Sequence, residues 1–227
     1  RQRLVLSGAM RPGFAQALAA LVAFAAFAAL AVPTAGLGAE NSPFANKDTH
    51  YCLNCHAADP SGFAPPRYAP PKIVGQNAAY LIAALNDYRD GRRNHYLMQS
   101  PAETIARDTI AEVAEYLSKL DGTGLPEYPT AEPDLELAAR GAELAGHLCV
   151  ECHHADPARN KDAVPILNGQ HPSYLTAAIR DYRLGVRRNK RMGDAVVGLS
   201  QEEVRAIVAY YAQLDGLYPW TGPRATP

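Results

Sequence analysis

Cys52-Leu53-Asn54-Cys55-His56 and Cys149-Val150-Glu151-Cys152-His153 are two copies of one pattern, Cys-x-x-Cys-His, and together they use all four cysteines of the chain. Two thiols one helical turn apart can form thioethers to the two vinyl groups of one haem. The histidine directly after them then reaches the iron. A single zinc held by both pairs would need no histidine after each second cysteine. A thioredoxin-like redox pair belongs between a strand and a helix, and neither site has a strand signal before it. Disulfides suit an oxidising compartment but leave the repeated histidine unexplained. The pattern therefore predicts two covalently bound haem c groups, with Cys52, Cys55, Cys149 and Cys152 as attachment points and His56 and His153 as iron ligands.

Working outward, Gly75-Gln76 aligns with Gly169-Gln170 at an offset of 94, and the match runs without a gap to Asp121-Gly122 and Asp215-Gly216. Tyr80-Leu81 meets Tyr174-Leu175, Asp87-Tyr88-Arg89 meets Asp181-Tyr182-Arg183, and Gly91 meets Gly185. Such internal similarity reads as a tandem duplication, which decides the architecture. Of three methionines, Met10 lies in the leader, while Met98 and Met192 occupy equivalent positions of the repeat. A lone methionine is ordinarily a core filler. Two in register, both in a polar Arg/Asn-rich loop, are read as the ligands on the far faces of the two haems. His/Met ligation raises the reduction potential and suits electron transfer. His95 and Lys190 are the competing ligands, but the repeat places Asn189 opposite His95. His50, His147, His154 and His171 have no counterparts and are expected on the surface or beside propionates. Pro71 and Pro165 correspond, and each is expected to offer its carbonyl to the Nδ1–H of the preceding histidine.

On these residues the chain resembles the dihaem cytochrome c4 family, two class I cytochrome c domains in one polypeptide, over about residues 44–216. The resemblance implies an all-α fold of two tandem domains, each wrapped around one haem. It carries over Cys52, Cys55, His56 and Met98 for one haem and Cys149, Cys152, His153 and Met192 for the other. It also implies a periplasmic one-electron carrier serving a terminal oxidase or another respiratory partner. The first half departs from the second in two ways. It shows no obvious helix before its first cysteine, and its segment from histidine to Gly-Gln is longer, 56 to 75 against 153 to 169. The first haem is accordingly expected to be more exposed or covered by a partner.

The predicted organisation is a leader at 1–40, domains at 41–122 and 134–227, and a linker at 123–133 rich in proline. Domains this small gain from packing around a haem. Arginines precede an apolar run from Ala17 to Val32, followed by small residues, as in a secretory signal. Sixteen helical residues span roughly 24 Å, short of the approximately 30 Å hydrocarbon core. Extension over 14–37 would suffice, so a cleaved signal and a retained N-terminal hydrophobic helix both stand. Either places the haem domains in the periplasm, since positive charge stays inside. The net charge of −1 and the absence of a nucleic-acid motif point away from a nucleic-acid partner.

Apolar stripes at Ile110, Val113, Ala114, Leu117 and Leu120, and at Val204, Ile207, Val208, Tyr211 and Leu214, predict two equivalent helices. Further helices are expected near Ala78–Asp90, Pro172–Leu184 and Asp134–Leu148, the last crossing the helix of Val204. Capping boxes are read at Ser200–Glu203 and at Ser100–Glu103, the latter with proline at the first helical position. No strand pair is expected. Arg187, Arg188, Lys190 and Arg191, with Arg92 and Arg93 in the matching place, are a solvated face, partners of haem propionates or a docking patch for an acidic redox partner. A bc1-type complex, a terminal oxidase or a dehydrogenase fits that role. A second reading makes the chain the haem subunit of a dehydrogenase, for instance a flavoprotein that oxidises sulfide. Catalysis by the chain itself is disfavoured, because all four cysteines are committed and two methionines close both irons.

Overall fold

The computed structural model describes residues 47–56, 70–122, 125, 134–154, 156, 160 and 162–217. The expected leader and N-terminal hydrophobic helix at 1–40 lie outside these residues, as do most of the linker and the tail beyond 217. Among the described residues no helix is long and apolar enough to cross a membrane.

Eight helices are described: α1 Lys47–His56, α2 Ala78–Arg89, α3 Tyr96–Thr104, α4 Ile110–Lys119, α5 Leu135–Leu148, α6 Pro172–Arg183, α7 Lys190–Val196 and α8 Gln201–Gln213. The all-α expectation holds. In the first half α2 packs on α3 and α4, and α1 reaches α4. In the second half α6 packs on α7 and α8, and α5 lies across α8. The stripes read from the sequence form the cores. Val113, Ala114 and Leu117 of α4 close over Leu53 and Leu81, while Val204, Ile207 and Val208 of α8 close over Leu175, Ala145 and Val196. Leu125, inside the expected linker, is buried in the first core.

Helix ends follow side-chain chemistry. Asn77 caps α2 by accepting from the Tyr80 N–H at 3.0 Å. Ser200 and Glu203 form the expected capping box of α8, with bonds of 3.2 and 2.8 Å. The box expected at Ser100 is overturned. Helix α3 begins five residues earlier, with His95 at its N-cap, and Ser100 and Pro101 lie inside it. The His95 carbonyl already accepts from Met98 and Gln99 at 2.9 and 3.0 Å, so the first turn closes before the proline is reached. The repeat offset itself sets Ala106, not Ser100, opposite Ser200.

Gly75 and Gly169 open equivalent turns at φ of 73° and 72°, a region costly for residues bearing a Cβ. Their N–H groups donate to Leu117 O of α4 at 2.9 Å and to Tyr211 O of α8 at 2.8 Å. Each turn thereby caps a helix end and aims the next residue, a glutamine, out of its own half.

The halves meet about a pseudo-twofold relation, and the hydrogen bonds that follow come in pairs related by the same offset of 94. Gln76 Nε2 donates to Ile166 O and Gln76 Oε1 accepts from Ile166 N–H, at 3.0 and 2.8 Å. Gln170 does the same to Lys72, at 3.0 and 2.9 Å. As expected, no strand is found among the described residues, but Arg93 and Arg187 form one isolated antiparallel bridge. It is flanked by Asn94 N–H to Val186 O at 3.1 Å and Arg188 N–H to Arg92 O at 2.8 Å. At the centre Tyr80 and Tyr174 oppose their hydroxyls at 3.4 Å, each receiving an arginine N–H from its own half, Arg93 at 3.2 Å and Arg187 at 3.1 Å. Burial alone would raise the Tyr80 phenol, but Arg93 and Arg187 outweigh it and bring the group down to about 8. Burial and the neighbouring Tyr80 push Tyr174 up instead.

Candidate haem sites

The first site is built on one short helix. Cys52, Cys55 and His56 lie on α1, with Cys52 partly buried and Cys55 exposed. The second site starts where a long helix ends: Cys149 caps α5, and Cys152 and His153 turn back to its carbonyl at 3.1 and 2.8 Å. None of the four cysteines forms a disulfide. The second-site cysteines are both partly buried, and burial pushes the Cys149 thiol up to about 11.

Both histidines are buried, at 7% and 6% exposure, and both are held as the sequence predicts. His56 Nδ1 donates to Pro71 O at 2.7 Å, and His153 Nδ1 donates to Pro165 O at 3.0 Å. A ring nitrogen facing a carbonyl must carry the proton, so Nε2 keeps its lone pair for a metal. Burial holds both imidazoles below the ordinary histidine range, which the proline carbonyls partly offset. A buried, neutral imidazole of fixed tautomer, one residue past two thiols that form no disulfide, fits a covalently attached haem.

The second site carries two further bonds. Asn160 Nδ2 donates to the same Pro165 carbonyl at 3.2 Å, and Tyr211 donates its hydroxyl to His153 O at 3.3 Å. Leu117 stands where Tyr211 does, so this difference is legible in the repeat alignment.

Met98 and Met192 are each the third residue of a short helix, α3 and α7, rather than residues of a loop. Both are partly buried, and Met192 packs against the second core. Asn189 caps α7 by accepting from Met192 N–H at 3.1 Å. Its counterpart His95 occupies the same cap position on α3 and packs against Tyr88 and Tyr96, with ring centroids at 6.4 and 6.0 Å. Lys190 is exposed and paired with Asp194 at 2.6 Å.

Two expectations about charged residues change. His171 is not a surface residue: it is buried at the N-terminal cap of α6, and burial, then Lys72 and His56, hold its imidazole down to about 3. The Arg-rich cluster is not one exposed patch. Arg93 and Arg187 are buried, ion-paired to Asp87 at 3.4 Å and Asp181 at 3.6 Å, and lie over Tyr80 and Tyr174. Their work is structural, whereas Arg188 and Arg191 are exposed. His147 is exposed as expected, and the His50 side chain lies outside the described residues.

Comparison with known proteins decides the family. The Cytochrome c family pattern matches residues 138–215. The chain is 30% identical to cytochrome c4 of Pseudomonas aeruginosa over 175 residues, 74% of this chain and 84% of that one. The chain belongs to the cytochrome c4 family. It is 32% identical to the thiosulfate dehydrogenase electron acceptor of Stutzerimonas stutzeri, over 75% of this chain and 82% of the relative. The solved cytochrome c4 of Acidithiobacillus ferrooxidans shares the fold, with a TM-score of 0.61 over 72% of this chain and 98% of that one, at 21% identity. As a cytochrome c4 this protein carries covalently bound haem c and transfers electrons; it is not an enzyme.

Proposed function

We propose that this cytochrome holds two haems and works in the periplasm as a one-electron carrier. Cys52, Cys55, His56 and Met98 serve the first haem, and Cys149, Cys152, His153 and Met192 the second. The observation that carries the reading is the repeated bond from a histidine ring to a proline carbonyl, His56 to Pro71 O and His153 to Pro165 O, at two Cys-x-x-Cys-His sites in one chain. When bound, each haem supplies a one-electron ferric/ferrous couple. The chain's part is to fix each imidazole, exclude water from its ring and keep a thioether donor within the same half.

The experiment is a haem count with spectra. The purified holoprotein should contain two haems per chain, and its ferric form should show the weak near-infrared band of sulfur-to-iron bonding. Met98→Ala and Met192→Ala should each remove about half of that band, as expected for one thioether per haem. A single haem per chain, or a full band in both variants, rejects the assignment.

For the partner, the likeness to a thiosulfate dehydrogenase electron acceptor favours a dehydrogenase as electron donor. A terminal oxidase on the acceptor side is the second part of this proposal, in keeping with the cytochrome c4 likeness. Stopped-flow mixing with a reduced thiosulfate dehydrogenase should reduce the cytochrome within single turnovers. Failure there, with rapid reduction by a bc1-type complex, would assign the chain to the respiratory route alone. The membrane-association proposal for residues 14–37 is tested by sequencing the N-terminus of the mature protein.

A further inference from the structure

The peptide groups that fix the two proximal rings are each gripped from the opposite half. Pro165 C=O and Ile166 N–H belong to one peptide unit. Its carbonyl accepts from His153 Nδ1 at 3.0 Å, and its N–H donates to Gln76 Oε1 at 2.8 Å. The mirror unit is Pro71 C=O with Lys72 N–H: the carbonyl accepts from His56 Nδ1 at 2.7 Å, and the N–H donates to Gln170 Oε1 at 2.9 Å. Each glutamine adds a bond from Nε2 to the carbonyl of the same residue, Ile166 O at 3.0 Å and Lys72 O at 3.0 Å. Both side chains are buried, at 2% and 3% exposure. Each Oε1 also accepts the N–H of its own next residue, Asn77 at 2.8 Å and His171 at 3.0 Å, so the amide cannot rotate without losing three bonds.

Hydrogen bonds in series through a peptide polarise one another. A donor relationship at the N–H makes the carbonyl of that peptide a better acceptor, and a better acceptor makes the imidazole that donates to it more basic. From this geometry we infer that Gln76 and Gln170 are positioning residues acting across the interface. Each sets the orientation and strength of the carbonyl that holds the other half's haem-ligating histidine. The inference rests on the two-haem reading above. It means that neither half tunes its proximal ligand alone, and that separating the halves removes an outer support from both sites at once.

The test uses full-length holoprotein. Gln76→Leu should raise the reduction potential of the haem at Cys149 and Cys152 more than that of the haem at Cys52 and Cys55. Gln170→Leu should give the mirror pattern. Losing part of one hydrogen bond predicts a change of about threefold in the reduction equilibrium of the affected haem. Potentials are resolved by following the haem methyl resonances of each site during a redox titration. Equal shifts at both haems, or a larger shift at the substituted half's own haem, overturn the inference. Should Gln76→Leu fail to fold, Gln76→Glu carries the test. Its carboxylate is a stronger acceptor for Ile166 N–H, so the His153 Nδ1–H resonance of the reduced protein should move downfield while that of His56 stays. An unmoved His153 resonance refutes the clamp. A wild-type chain without a haem at His153 would instead refute the functional reading, and the haem count shows this separately.

Discussion

The two halves use the same parts where they face each other and different parts where they do not. Gln76, Tyr80, Asp87 and Arg93 are matched residue for residue by Gln170, Tyr174, Asp181 and Arg187, and the glutamine bonds, the tyrosine–arginine bonds and the Asp87–Arg93 pair recur. On the outer side the match ends. The first attachment site sits in the ten-residue α1, while the second follows the fourteen-residue α5, which crosses α8. A self-complementary interface requires each residue to serve in both copies at once, so a change on one side breaks a contact on the other. The outer faces carry no such requirement, and there the halves have diverged: Tyr211 donates to His153 O where the repeat places Leu117 in the first half.

The largest test of this contrast is Gly141, where α5 presses on α8. A Cβ at Gly141 would fall 1.9 Å from Ala206 O, a backbone atom that cannot swing aside. Gly141→Ala should destabilise the protein by about 4 kcal/mol despite alanine's better helix propensity. Amide exchange should accelerate in α8 and stay near wild type in α4. Stabilisation would mean that the crossing is looser than described.

Next is the interface. Arg187→Leu leaves the buried Asp181 with only the largely exposed Arg180, at 2.9 Å. It should cost about 3 kcal/mol in denaturant unfolding. Arg93→Leu should cost less, about 2 kcal/mol, because the less buried Asp87 keeps Arg92 at 2.6 Å. The reverse order would show that the interface is not graded by burial.

Smaller again are the caps. Ser200→Ala removes one bond of the α8 box and should lower stability by about 1 kcal/mol. Thr109 at the start of α4 makes no side-chain cap bond. Thr109→Ala should therefore stay within about 0.5 kcal/mol of wild type in the same melt. Last, Arg188→Gln with Arg191→Gln should leave the melting temperature unchanged and slow electron transfer at low salt only. An unchanged salt dependence would remove these exposed charges from the docking surface.

The proline bonds were legible beforehand: the Cys-x-x-Cys-His pairs and the paired prolines are local or periodic signals, and the bonds of His56 and His153 to Pro71 O and Pro165 O follow from them. The apolar stripes of α4 and α8 also needed only periodicity. The Ser100 box failed because a four-residue motif ignores a turn already closed at His95. The burial of Arg93, Arg187 and His171 was not legible, because charge and a lack of symmetry say nothing about burial.

Sequence alone determined the covalent chemistry, the helical class and the duplication, since these depend on residue types at short or fixed spacing. Tertiary structure alone decided that the conserved offset is an interface, that two arginines lie inside it, and that each Gly-Gln turn serves the opposite histidine. Those facts depend on which surfaces of two similar halves meet. Residue spacing within one half carries no information about that meeting.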